Sequence, residues 1–169
     1  MDILKIRRLH LPTMDRLLYF SNDDLAERRK VYEDLFLETW ERIPQNDRDK
    51  ILENLEFILC KKVDDFWQQN TPACALLCKI SLRCFVIFNP FFDSIERETK
   101  VHILAHEFAH VFYNHPRTGF KLGSDKEKKY IEEEAEPQAY ALTEKWKFFP
   151  HPENIHNLLC YKKFVLKEK

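Results

Sequence analysis

Glycine is nearly absent from this chain: there are two in 169 residues, Gly119 and Gly123, both in one short stretch. Tight turning that needs a residue without a Cβ is therefore confined to that connection. Excess charge is absent too. A formal net charge of -1 gives no global electrostatic reason to expect a nucleic acid or an acidic membrane as partner. No run approaches the ~18 uncharged apolar residues of a membrane span. The first nineteen positions mix Lys5, Arg7, Arg8, His10, Asp15 and Arg16 among apolar residues, so no unbroken signal-peptide core is present. Five cysteines, Cys60, Cys74, Cys78, Cys84 and Cys160, form an odd set without C-x-x-C pairs. Reduced thiols and a soluble, cytoplasmic protein are expected, with the cysteines as small hydrophobes rather than metal ligands. Internal repeats and low-complexity tracts are missing.

What is present is 44% hydrophobic residues over a length suited to one compact domain. Leu25, Tyr32, Leu35, Phe36, Thr39 and Ile43 recur at helical spacing until Pro44. Asn46 or Asp47 can cap a second helix with Ile51, Leu55, Ile58, Leu59, Val63, Phe66 and Trp67 as its stripe, ending at Thr71-Pro72. The two are expected to form a hairpin. A short helix at 13–20 is a weaker possibility. From Cys74 to Phe88 the texture turns β-branched and aromatic, and a strand is expected at 80–88, with 73–79 open between strand and helix.

Asp93 and Glu96 fit a capping box opening a helix that runs to about Asn114. Another helix is expected from Ser124 or Asp125 to Trp146, interrupted by Pro137, and a final one over 153–166. The expected class is α+β: a mainly helical single domain over 1–169 with a small β-sheet beside the helix of residues 94–114. Within it, 1–72 is a helical N-terminal part, 73–147 a catalytic core and 148–169 a C-terminal helix.

The helix of residues 94–114 carries His106-Glu107-Phe108-Ala109-His110, an H-E-x-x-H pentad. Residues four apart share a helix face about 6 Å from each other, so both imidazoles can grip one zinc ion. Glu107 can then act as general base on a water that the metal activates. By composition alone such a pentad arises in roughly three chains per hundred, so context must decide. Catalytic zinc usually takes three protein ligands. His102 continues the series but lies eight residues and about 12 Å from His110, too far for one ion, and is expected on the cleft rim or surface. The third ligand must come from another element. Glu132-Glu133-Glu134-Ala135-Glu136 offers four carboxylates, with Glu132 and Glu136 one turn apart and Ala135 and Ala139 small enough for close helix approach.

Leu104 to His110, followed by Glu132-x-x-Ala135-Glu136-x-x-Ala139, resembles the gluzincin metallopeptidases, in particular the ImmA/IrrE type and the single-domain minigluzincins. Phe85 to Pro90 and His115-Pro116 resemble them as well, and the likeness spans residues 80–145. It implies zinc held by His106, His110 and Glu132, with Glu136 supporting a histidine ligand and Glu107 as catalytic base. A peptide or protein would be the substrate, pairing with the strand at 80–88. Pro137 departs from the pattern and can change which carboxylate faces the metal, which keeps Glu133 in reserve. Candidate oxyanion donors are Tyr140, His115, His151, His156 and Tyr161. The alternative function is a latent or non-catalytic zinc-binding regulatory protein, its cleft blocked by the N-terminal hairpin or by the tail after Trp146.

Overall fold

The computed structural model describes residues 18–20, 26–60, 73–77, 84–88, 95–115, 124–153 and 162–167. Helix α1 spans Ala26–Arg42, α2 Gln45–Asn54, α3 Arg97–Tyr113, α4 Asp125–Tyr130 and α5 Glu136–Lys145. A π-helical turn, Ile131–Ala135, joins α4 to α5, and another lies at Lys162–Leu166.

Helix α3 is the centre of the packing. From Val101 to Ala109 every residue is buried, an arrangement found when a helix is surrounded on all sides rather than laid on a surface. Helices α1, α2 and α5 all contact it. Against α1 the contact is aromatic: Phe36 stacks on Trp40 at 5.4 Å, and Phe108 sets its edge to both rings at 5.8 and 5.6 Å. Ala105 and Ala109 on α3 and Ala139 on α5 are fully buried, the small side chains that let two helix backbones come close. Thr39 and Thr143, also without exposed surface, satisfy their hydroxyls on the carbonyls of Leu35 and Ala139, one turn back.

The ends of the helices follow local chemistry. Pro44 precedes α2, where its missing N–H costs nothing. Ser124 caps α4 by accepting from the Glu127 N–H at 3.2 Å. Asn114, left-handed at φ 59°, closes α3. At Glu96 no side chain caps the start of α3, so the expected capping box is not made through that residue; Asp93 lies outside the described residues. The widened turn Ile131–Ala135 stands directly before Pro137. Proline cannot donate to the carbonyl four residues earlier and its ring crowds it, and the Glu136 N–H bonds Ile131 five residues back instead. After α5 the chain turns at Lys147 (φ 63°) and is held by Arg42 and Asp47. Arg42 donates to the Lys147 carbonyl at 2.7 Å and lies over the Phe148 ring, while the Trp146 indole donates to Asp47 at 2.8 Å.

Two expectations are corrected. Helix α2 stops at Asn54, well short of Trp67 and Pro72, and Leu55–Cys60 is extended; Phe57 and Ile58, residue types that favour extended chain, stand in that stretch. The class is also different. Where side chains pack, the molecule is 83% helical and has no sheet in it: a helical domain, not α+β with a sheet beside α3. Helices α1, α2 and α5 pack around α3, and the extended stretch Ala73–Leu77 also comes near it. Short extended stretches at Leu18–Phe20, Leu55–Cys60, Ala73–Leu77 and Cys84–Phe88 pair through the backbone in the order first, second, fourth, third. Beyond Leu55 they add no described side chain to the core. Residues 13–17, 61–72, 78–83, the glycine-bearing connection and 154–161 fall outside the described residues.

Phe108→Ala is expected to lower the free energy of unfolding by about 3–5 kcal/mol, since it removes the ring that Phe36 and Trp40 both pack on. Urea unfolding measures this; a loss below 1 kcal/mol contradicts the packing described.

Candidate metal centre

One turn of α3 and the first turn of α5 bring three ligand-bearing side chains together. His106 Nε2 lies 3.1 Å from His110 Nε2. Glu136 reaches both, with Oε2 3.3 Å from His106 Nε2 and Oε1 3.4 Å from His110 Nε2. The side chains are 9%, 12% and 16% exposed, so the group is largely buried. Such a buried His106, His110, Glu136 cluster can hold a metal ion.

The fit can be tested on the distances. Ligands at about 2.0–2.1 Å from one ion lie about 3.3–3.4 Å apart; the two imidazole nitrogens are 3.1 Å apart, Glu136 meets each of them through a different oxygen, and one ligand atom from each of the three residues falls within 4.8 Å of the others. Two imidazoles with one carboxylate also suit a borderline first-row metal rather than calcium or magnesium, which take oxygen. The buried Glu136 Oε2 makes no hydrogen bond of good geometry although it is 3.3 Å from an imidazole nitrogen, as a lone pair directed at an ion would be.

Charge follows the same logic. Burial alone would raise the Glu136 carboxyl, but hydrogen bonds and charge from His106 and His110 outweigh it and hold the group well below the usual carboxylate range. Burial opposes a charge on His110 as well; contact with Glu136 and the nearby Glu107 carboxylate overcomes it and raises the imidazole. Glu107 itself is 6% exposed.

A second ring of groups surrounds the three. His115 is buried, its Nδ1 2.8 Å from His110 Nδ1 and its Nε2 3.4 Å from Gln138 Oε1. Burial, with the charge of His110, lowers His115 to about 4. The Tyr140 ring, one turn after Glu136, lies 4.1 Å from the His106 ring.

The sequence expectations sort themselves on this geometry. His106, Glu107 and His110 lie together as the pentad requires. Glu136, expected to support a ligand, stands at ligand distance itself. The side chain of Glu132, the expected third ligand, lies outside the described residues. Glu133 is exposed and 3.9 Å from Lys129, away from the cluster. His102 is corrected from rim to core: it is 2% exposed, and its Nδ1 is 3.2 Å from the Phe148 carbonyl. The turn after α5 covers it. Of the oxyanion candidates, Tyr140 and His115 flank the cluster. His151 is engaged elsewhere, its N–H donating to Thr99 and its ring accepting from Glu153. His156 and Tyr161 lie outside the described residues, as do Cys78 and Cys160 and the side chains of Cys60, Cys74 and Cys84. Gln138 was not foreseen; a glutamine two residues after Glu136 gives no signal until His115 is known to face it.

Searches of family models, curated proteins and solved structures find no match. Among the described residues, no helix is long and apolar enough to cross a membrane.

His102 supplies a pH prediction. Burial and the neighbouring His106 lower its pKa from 6.5 to about 3, against the pull of the Phe148 carbonyl. The unfolded chain therefore binds the extra proton first, and stability falls as pH drops from about 6.5 towards 3. The slope from this one group is up to ~1.4 kcal/mol per pH unit. His102→Asn keeps a donor for Phe148 and removes the titration. Urea unfolding of the chelator-treated protein should show a shallower pH slope in that variant; equal slopes contradict the burial of a neutral His102.

Proposed function

We propose that this chain is a zinc metallopeptidase of gluzincin type, with zinc held by His106, His110 and Glu136 and with Glu107 as general base. The observation that carries the reading is the convergence of His106 Nε2, His110 Nε2 and the Glu136 carboxylate, whose ligand atoms, one from each residue, lie within 4.8 Å of one another. Bound there, zinc supplies a Lewis acid that polarises a peptide carbonyl and makes water more acidic.

The protein side of the chemistry rests on its own groups. Glu107 is buried next to the ligand His106 and near His110, and there it would accept the proton of the attacking water and return it to the leaving amine. His110 and His106 come from one rigid helix packed on all sides, so their spacing does not depend on a loop. Tyr140 covers one face of the His106 ring and keeps it from turning away.

Glu136 replaces Glu132 as the proposed third ligand. Pro137 supports the change, because the π-helical turn before it alters the stacking of the acidic run just where the sequence pattern counts in α-helical steps. The substrate class is a peptide or protein, and the residues name no particular target.

Zinc titration against a chromophoric chelator should find Glu136→Ala weakened about 100-fold or more and Glu132→Ala little changed. The opposite order returns the ligand to Glu132. Glu107→Gln should bind zinc as tightly as the parent and lose about 10²–10⁴-fold in cleavage of a peptide library. Unchanged cleavage contradicts the mechanism. Zinc binding by the parent with no cleavage of any peptide would favour the latent or regulatory alternative.

A further inference from the structure

His115 stands where a continuous helix could not put it. Five residues after His110 on an unbroken α-helix it would lie about 140° round the axis. Asn114 in the left-handed conformation ends α3 and turns the chain back, and His115 Nδ1 comes to 2.8 Å from His110 Nδ1. Two ring nitrogens at that distance must divide the roles of donor and acceptor.

The outer ends decide the division. His110 Nε2 faces His106 Nε2 and Glu136, where a ligand offers its lone pair, so the proton of His110 belongs on Nδ1. His115 Nε2 faces Gln138 Oε1, an acceptor, so its proton belongs on Nε2 and its Nδ1 lone pair is turned to His110. The hydrogen bonds then run in one direction: His110 donates to His115, and His115 donates to Gln138. Tyr113 stacks on the His115 ring at 5.2 Å and 16°, and Tyr130 meets it edge-on at 6.1 Å, so the plane of the acceptor is set by packing. The partner ligand contrasts with this. His106 Nδ1 is buried with no hydrogen-bond partner among the described residues.

We infer that His115 is a positioning residue of the metal centre: a neutral hydrogen-bond acceptor that holds His110 in the tautomer presenting Nε2 to the ion, and that is itself oriented by Gln138. The inference rests on the zinc reading of the cluster. An imidazole in this role has a consequence that the more usual carboxylate would not. Glu107 and Glu136 already place two carboxylates around His110, and a third would add a buried like charge. A neutral ring accepts the same hydrogen bond without it.

The test uses the full chain with ¹⁵N-labelled histidine. In metal-free protein, a ¹⁵N–¹⁵N coupling across the hydrogen bond should link His110 Nδ1 and His115 Nδ1, and its absence overturns the inference whatever the metal does. Zinc affinity is then compared for the parent, His115→Phe, which keeps a ring between Tyr113 and Tyr130 but cannot accept, and His115→Asn, whose Oδ1 can. A 10–100-fold loss in the phenylalanine variant with less than about threefold loss in the asparagine variant is expected. Phenylalanine binding as tightly as the parent, or both variants weakened alike with unchanged melting temperatures, overturns it. Failure of the zinc reading shows separately, as parent protein whose zinc binding is absent or indifferent to Glu136→Ala.

Discussion

Everything in this molecule that bears on chemistry depends on burying three ionisable groups at one point. Two imidazole nitrogens and a carboxylate come within 3.4 Å of one another in the interior. Ions cost several kcal/mol each to remove from water, so such a group survives only if its members neutralise one another or share a cation. Here they do the first in the free protein: Glu136 is held ionised by the histidines, and His110 is raised by Glu136 and Glu107. A divalent ion in place of one proton would add a single positive charge, close to the Glu107 carboxylate.

The scaffold is arranged to hold that point still. Helix α3 is packed against α1, α2 and α5, and Phe108, on the opposite side of the pentad from the ligands, is fully buried between Phe36 and Trp40. Arg97 pairs with Glu38 at 2.7 Å near the start of α3, and the turn after α5 is pinned by Arg42 and Asp47. Its Phe148 carbonyl then meets His102, one turn before the first ligand. That contact explains why the third histidine of the series is structural. A carbonyl rather than a carboxylate faces it, and the ring stays neutral in the core.

The sequence was most readable where local chemistry decides. The pentad, the stop at Pro44, the start at Ser124 and the end of α3 near Asn114 follow from a few neighbouring residues, and the structure places each there. Ala135 and Ala139 were readable too, as small residues on a helix that must approach another. What could not be read depends on contacts distant in sequence. The apolar stripe through Trp67 suggested one long helix, but spacing alone cannot tell a helix from extended chain rich in Phe and Ile. The strand-like texture before α3 suggested an α+β class, whereas the packed body is helical. That Glu136 comes to the two histidines follows a widened turn before Pro137, a backbone response that periodicity assumes away. The His110, His115, Gln138 series was hidden because it requires the chain to reverse at Asn114 and then meet a different helix.

X-ray absorption at the zinc K-edge on the purified, zinc-loaded chain tests the central claim most directly. The account predicts two imidazole shells and oxygen ligands at about 2.0–2.1 Å with no sulfur, and loss of an oxygen contribution in Glu136→Ala. A sulfur shell near 2.3 Å, or a spectrum unchanged by removing Glu136, would contradict it.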